Sequence, residues 1–425
     1  MMHISRVELS GLWGCKSYNI NLNHDFNFFI GPNGSGKTTI LTLIASIINL
    51  DLNSINKIDF YECTLDLVSE EQAYKLSVLK GEDSNGDNVV NYIIDDAFTD
   101  ENVISDFFRS RRIPGNGSNN DYFRLKRQSS NHTASEKLMS FLNKNIKMTW
   151  LPIGRANLLN NFDDHKFDNS VDIRLEYVAD SFVKYVSYIN QTISERMNEF
   201  QKDVFLSVID FSFFDQIKNK PTNLDIQKEK DVLIEAFREV GIREGLYQKK
   251  INKMFNVIKA VEERNSKTRN PDLSFEEIIW IFNTWKAHYL VEKYNEYKVE
   301  KNKINTSVDS FIKILNDLFE GRKTFFVSKS NELCAYSSDG YEIKLSDLSS
   351  GEKQLLIILS EALLQNGKRC LYLADEPELS LHVSWQEKIV NSIFEINKNV
   401  QIIFATHSPD VVSWRQDKTI FMSGE

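Results

Sequence analysis

The stretch Gly31-Pro-Asn-Gly-Ser-Gly-Lys37-Thr38 restricts the fold more than any other part of this 425-residue chain. It fits G-x-x-x-x-G-K-[ST], follows the continuous apolar run FNFFI (26–30) and opens the helix-like segment TTILTLIASIINL. A strand before the loop and a helix after it are the context that gives the pattern its meaning. The glycines let main-chain N–H groups curl around phosphate oxygens, and the helix N-terminus adds partial positive charge. Lys37 is expected to bridge the β- and γ-phosphates of ATP, and Thr38 to ligate Mg2+. Asn33, Gly34, Ser35, Gly36 and Thr39 complete the cradle. An apolar run of this kind is a strand covered on both faces, as in a parallel α/β sheet.

Composition narrows the class. Hydrophobic residues at 41% and charged residues at 26% are the balance of a folded soluble protein, and the length favours two or three lobes. No apolar run is long enough to span a bilayer, and MMHISRVELSG lacks a secretory leader's pattern, so a cytoplasmic protein with no membrane partner is expected. Cys15, Cys63, Cys334 and Cys370 show no paired spacing for zinc and no disulfide framework. The net charge of −9 means that a nucleic-acid partner would need a local basic patch.

Along the first 160 residues the pattern is strand-like. YNINLN (18–23) alternates, and KIDFYECTLDL, YKLSVLK and VVNYIID are further candidates, with EDSNGDN as turn chemistry. Residues 109–133 are rich in Gly, Asn and Ser and carry Arg109, Arg111, Arg112, Arg124, Lys126 and Arg127. They read either as a surface loop or as a contact for DNA or a partner protein. From about 170 to 318 the pattern is helical, interrupted by Pro221, Pro271, Gly241 and Gly245, so it forms a short arm and not a coiled-coil rod. Its Trp and Tyr residues fit core packing better than base stacking. TFFVSKS, ELCAYSS and YEIKL then read as strands, followed by a helix (352–366), the strand CLYLA (370–374), a helix (384–396) and the strand QIIFA (401–405). Alternating strands and helices imply a parallel sheet. Domain limits of 1–165, 166–320 and 321–425 follow.

Three further motifs complete the chemistry. CLYLADE ends an apolar strand with Asp375 and Glu376, which places both acids at the ligand-binding edge of the sheet. Asp375 suits Mg2+, and Glu376 suits orienting or deprotonating the attacking water. In FATHSP, His407 follows another buried strand and is a candidate γ-phosphate sensor. In LSSGEKQ, Ser349, Ser350, Gly351 and Glu352 form a second anion site at a helix N-terminus. A single nucleotide cannot easily use both anion sites of one subunit, so a two-fold related copy is expected to supply the second. The segment NKID (56–59) also matches a guanine-reading element, but it lies too close to the phosphate loop for a GTPase sheet, and Ile58 and Phe60 alternate as strand residues do.

Together, GPNGSGKTT, LSSGEKQ, LYLADEPELSLH and ATHSP resemble the ABC-type ATPase heads of the SMC, Rad50, RecF and OLD class. GCKSYNINL resembles that class's first hairpin, in which Lys16 and Ser17 match residues that approach the nucleotide. The resemblance covers roughly 1–60 and 323–412. It implies an ABC-type P-loop ATPase head, a mixed sheet with flanking antiparallel strands, assembled from both chain ends around an inserted helical arm. There are departures. The strand end TWLPIGR (149–155) has no Gln where transporter cassettes usually carry one, which leaves open whether Arg155 substitutes, and His382 stands where they carry Asp, as in OLD-type and stand-alone defence ATPases. Val383 replaces a common Pro, and no Cys-x-x-Cys hook is present. The sequence ends shortly after His407, so a nuclease effector is expected to be a separate chain. The implied function is an ATPase that forms homodimers, or higher oligomers of dimers, through ATP sandwiches. It would control a separate effector, a nuclease encoded nearby, in anti-phage defence of the PARIS or Septu type, with DNA or a phage protein as a further partner. The alternative is a RecF-like DNA-repair ATPase that binds duplex DNA directly.

Overall fold

The computed structural model describes residues 2–82, 88–97, 102–111, 124–125, 132–152, 170–207, 209, 225–265 and 274–423. The chain divides into two compact units, Met1–Tyr185 with Ser307–Glu425, and Val186–Thr306.

The first unit carries three sheets. Strands β1 (His3–Leu12), β2 (Lys16–Asn21), β4 (Glu62–Val68), β5 (Ala73–Glu82), β6 (Asn88–Asp96), β7 (Asn102–Arg111) and β8 (Arg124–Leu125) form an antiparallel sheet in the order β2-β1-β4-β5-β6-β7-β8. Strands β3 (Phe26–Ile30), β9 (Met148–Leu151), β13 (Cys370–Asp375), β14 (Val400–Ala405) and β15 (Thr419–Phe421) form a parallel sheet in the order β15-β3-β14-β13-β9. A small antiparallel sheet joins β10 (Lys323–Val327), β11 (Leu333–Ser337) and β12 (Glu342–Ile343). The architecture is therefore the expected mixed α/β head with flanking antiparallel strands.

Burial follows the sequence pattern. Every residue of β13 and β14 is buried, as continuous apolar strands covered on both faces must be. In β6, Val90, Tyr92 and Ile94 alternate toward the core. Helix α1 (Lys37–Ile48) buries Ile40, Leu41, Leu43, Ile44, Ala45 and Ile47. These residues share one hydrophobic cluster with Leu65, Leu76 and Val78 of the antiparallel sheet and Leu371, Leu373 and Ile403 of the parallel one. Each such aliphatic side chain contributes about 1.5–3 kcal/mol when fully buried. Distant parts of the chain meet at β14, which pairs with β3 in the register Ile403↔Asn27 and Ala405↔Phe29. Buried Gln401 seals that junction: it accepts from Ile4 N (2.9 Å) and donates to Ile4 O (2.7 Å) and Asn23 O (2.8 Å).

Several local expectations shift. KIDFYECTLDL is not one strand, because Asp51 caps a short helix, α2 (Leu52–Lys57), by accepting from Ser54 N, and β4 starts only at Glu62. NKID straddles that helix end, where Lys80 donates to Asn56 O and Ile58 O. A further helix, α3 (His132–Asn145), occupies part of the stretch read as strands and buries Leu138 and Leu142. Of the basic stretch, β7 takes in Arg109 and Arg111 and β8 takes in Arg124, while Arg112, Lys126 and Arg127 lie outside the described residues, as does Arg155. Helix α4 (Ser170–Leu206) belongs to this unit up to Tyr185. There Asp172 pairs with Lys353 at 2.6 Å, Arg174 pairs with Glu361, and the Tyr185 hydroxyl donates to Asn366 at 3.2 Å. These contacts place the start of the second unit later than residue 166.

The second unit is helical, built from the remainder of α4, α5 (Ile226–Glu239), α6 (Glu244–Asn265) and the part of α7 (Phe275–Phe319) up to Thr306. Leu233, Tyr247, Ile251, Phe255, Ala287 and Val291 form one core, and Phe200, Ala236, Tyr294 and Tyr297 another. The Tyr294 and Tyr297 hydroxyls donate to Glu239 at 2.8 and 3.1 Å, so both rings are packing elements with satisfied tips.

Candidate nucleotide site

Three adjacent parallel strands, β3, β14 and β13, end at one edge of the sheet. In the register Phe29↔Ala405 and Asp375↔Ala405, the phosphate loop, His407 and the acids Asp375 and Glu376 all leave from that edge. Chain connectivity in a parallel α/β sheet makes this carboxyl edge the ligand-binding side.

The loop geometry is fixed by main-chain demands. Gly34 (φ 78°) and Gly36 (φ 94°) take conformations that side chains resist, and a Cβ on Gly36 would meet the Tyr18 hydroxyl at 3.1 Å. Tyr18 OH donates to Ser35 O at 2.6 Å and holds the loop from β2. Lys37 is 6% exposed, and its amine donates to Gly31 O (3.0 Å) and Pro32 O (3.3 Å). Ser35 Oγ is buried without a hydrogen-bond partner. Lys16 Nζ donates to Gly34 O at 3.4 Å, while Ser17 is exposed on β2, Asn33 is exposed and Thr39 is half-buried.

Thr38 Oγ1 donates to Asp375 Oδ1 at 3.1 Å, and Asp375 Oδ2 is buried without a partner. Burial pushes the Asp375 carboxyl up, against the pull of the Thr38 hydrogen bond and the Lys37 charge. A hydroxyl beside a carboxylate with one unused oxygen is a hard-oxygen pair that could hold Mg2+. No cluster of three or more His, Cys, Asp or Glu suited to a metal occurs among the described residues, so such an ion would draw its other ligands from phosphate and water.

Glu376 has φ +46°, a left-handed conformation that costs a non-glycine residue about 1–3 kcal/mol, and its N–H donates to Ala405 O at 2.8 Å. Its carboxylate lies 3.4 Å from His407 Nε2. Burial, then the neighbouring Glu378 carboxyl, then Asp375, push Glu376 up to about 8. Glu378 itself is buried, and its Oε1 accepts from Thr406 Oγ1 (2.5 Å), His407 N (2.9 Å) and Ser408 N (3.1 Å). Sequence reasoning did not single out Glu378. Its one signal was a carboxylate inside the otherwise apolar PELSL segment that follows the acid pair.

The LSSGEKQ segment (348–354), the signature turn, lies elsewhere in the hydrogen-bond map. Helix α8 (Ser350–Leu364) is capped by Ser349, whose hydroxyl accepts from Glu352 N, while Glu352 accepts from Ser349 N at 2.8 Å. Lys323 donates to both Glu352 oxygens at 2.6 and 2.7 Å, so Glu352 is engaged within the cap. Gly351 lies under the Ser380 carbonyl, which a Cβ would meet at 2.2 Å, and Ser350 is exposed. Among the described residues, no hydrogen bond joins Ser349, Ser350 or Gly351 to the phosphate loop. His382 caps α9 (Val383–Ile396) by accepting from Ser384 N. No helix among the described residues is long and apolar enough to cross a membrane.

Residues 26–413 match the family described as "AAA domain, putative AbiEii toxin, Type IV TA system". The chain is similar to the retron Vc95 probable ATPase of Vibrio cholerae serotype O1 biovar El Tor, 28% identical over 189 residues that cover 38% of this chain and 36% of that protein. It is 29% identical over 151 residues to the retron Ec83 probable ATPase of Escherichia coli, covering 31% and 28% respectively. It is 33% identical over 95 residues to the DNA replication and repair protein RecF of Glaesserella parasuis serovar 5 (strain SH0165), covering 21% and 26%. The chain thus matches only 26–36% of the length of these relatives. Among solved structures, the Smc head domain with an extended coiled coil, bound to the C-terminal domain of ScpA and derived from Pyrococcus furiosus, aligns with a TM-score of 0.42 at 13% identity over 97% of this chain and 92% of that chain.

Proposed function

The chain belongs to this AAA-domain family, and from that premise we propose that it is a Mg2+-dependent ATPase whose copies pair around ATP. The observation that carries the reading is the convergence of Lys37, the Thr38–Asp375 contact and the Glu376–His407 pair at one sheet edge. Lys37, released from the loop carbonyls, grips the β- and γ-phosphates, and the loop N–H groups orient the chain of phosphates. Bound Mg2+ supplies charge neutralisation at the phosphates. Glu376 in its ionised form holds the attacking water and accepts its proton, and His407 contacts the γ-phosphate. Exposed Ser350 and the α8 N-terminus serve the nucleotide of a second copy.

At the level of the cell, the ATP-bound assembly is a cytoplasmic sensor or scaffold that holds or releases a separate nuclease effector in anti-phage defence. The likeness to two retron probable ATPases supports that assignment. A second reading, a DNA-repair ATPase acting on duplex DNA, is supported by the likeness to RecF. Steady-state hydrolysis decides the chemistry: Glu376→Gln retains ATP and turns over roughly 10²-fold more slowly. Turnover at the parent rate would remove Glu376 from the reaction. DNA-stimulated hydrolysis that falls steeply with salt favours the second reading. Co-purification with the neighbouring gene's product favours the first.

A further inference from the structure

We infer that Glu378 is the positioning residue of the γ-phosphate switch, holding His407 in place against Glu376. The inference rests on the site reading above and adds to it a residue that does not itself reach the nucleotide.

His407 leaves the end of β14 in a segment with no regular structure before the short helix α10 (Pro409–Val412). Such a segment has free N–H groups and needs a partner to fix it. Glu378 Oε1 supplies that partner three times over, for the Thr406 hydroxyl, the His407 N–H and the Ser408 N–H. These three donors come from three consecutive residues and converge on one oxygen, so they set the peptide plane from which the His407 side chain projects. Both Glu378 and Thr406 are buried, which strengthens the contacts and excludes water from competing for them. A second anchor holds the far end: Ser408 Oγ donates to Gln386 Oε1 at 2.8 Å, and Gln386 Nε2 donates to Leu381 O at 3.0 Å.

Glu378 is also tied to the acid pair through the chain. It lies two residues after Glu376, in a turn where Leu379 N donates to Glu376 O at 3.1 Å and Leu381 N donates to Glu378 O at 2.9 Å. One side chain therefore links the segment carrying the water-activating carboxylate to the segment carrying the switch imidazole. The His407 ring is half exposed, with Nε2 3.4 Å from Glu376 Oε1, so its own packing does not fix it. A histidine in that situation depends on its main chain for aim.

The test is a double-mutant cycle on ATP hydrolysis by the full chain, with ATP affinity and the thermal midpoint measured in parallel. His407→Ala is expected to lower kcat about a hundredfold. Glu378→Ala is expected to lower kcat by a comparable factor with ATP affinity unchanged within about threefold, and the double variant no further, because both remove one function. Glu378→Gln keeps an acceptor oxygen for the three donors but removes the carboxyl that pushes Glu376 up, so its plateau kcat is expected to stay within about threefold of the parent while the acid limb of its pH–rate profile moves to lower pH, which separates positioning from a general loss of fold. Glu378→Ala at parental kcat, or a double variant that loses the product of the two single effects, would overturn the inference while leaving the site reading intact. If His407→Ala itself hydrolyses like the parent, both fall.

Discussion

The phosphate loop and the signature turn are both helix N-termini preceded by small residues, yet their polar groups are treated in opposite ways. In the phosphate loop, Ser35 Oγ is buried without a partner and the Lys37 amine rests on loop carbonyls at 3.0–3.3 Å, and beside the loop, at the end of β13, Asp375 Oδ2 is likewise buried without a partner. In the signature turn, Ser349, Glu352 and Lys323 satisfy one another, Ser349 and Ser350 are both exposed, and the buried orphan, Gln354 Oε1, lies a turn further into the helix. Unsatisfied buried polar atoms cost free energy, so a fold keeps them where a ligand compensates. Under the proposed reading, the loop receives phosphate within the chain and the turn is presented to a second copy, a division of labour that the substitutions below can break.

Substitutions separate the two regions. The largest effect is expected on the receiving side: Lys37→Ala removes the charge that meets the phosphates and costs about 3 kcal/mol, over a hundredfold in ATP affinity by titration calorimetry. Retained affinity would mean that the cradle binds something other than triphosphate. On the presenting side, Gly351→Ala forces a methyl against the Ser380 carbonyl, where 2.2 Å is available. It should lower stability by about 1–3 kcal/mol in thermal melts without changing ATP affinity. A variant that melts like the parent would show that the turn is not rigid.

The smallest effect concerns the cap. Burial pushes the Glu352 carboxyl up, but the Lys323 and Ser349 hydrogen bonds outweigh it and hold the group below its ordinary 4.5. A carboxyl held low stabilises the fold above its unfolded value, and that stability is lost as pH falls through the folded one. Lys323→Met should therefore cost about 1 kcal/mol at pH 7, with the gap to the parent closing below pH 4.5 in denaturant titrations at several pH values. A gap independent of pH would assign the loss to packing.

Much of this was legible in the chain. FNFFI and CLYLA were read as strands from apolar runs, and both lie in the parallel sheet; the polar exception, Asn27, is buried at the centre of its strand and donates to Asn23 O and Ile402 O. Phosphate loop, acid pair and switch histidine were named from local patterns, and the pairing of β3 with β14 and β14 with β13 brought them to one edge. That pairing was invisible to periodicity, since it depends on contacts between Asn27 and Ile403 and not on neighbours in sequence. The helix capped by Asp51 was missed because six residues carry weak periodicity, and α3, at fourteen residues, was missed because the whole N-terminal stretch was read as strands. Glu378 was missed for a different reason: an acid in PELSL reads as a solvated residue until Thr406, His407 and Ser408 are seen to converge on it.

Pairing around ATP is tested most directly by the solution mass of the Glu376→Gln chain with and without Mg-ATP, beside the same chain carrying Ser350→Arg. The account predicts a nucleotide-dependent doubling of mass for the first and an ATP-binding monomer for the second. If the Ser350→Arg chain still doubles with ATP at the same concentration, the serine-tipped helix does not clasp a neighbour's nucleotide, and the two half-sites have been wrongly joined.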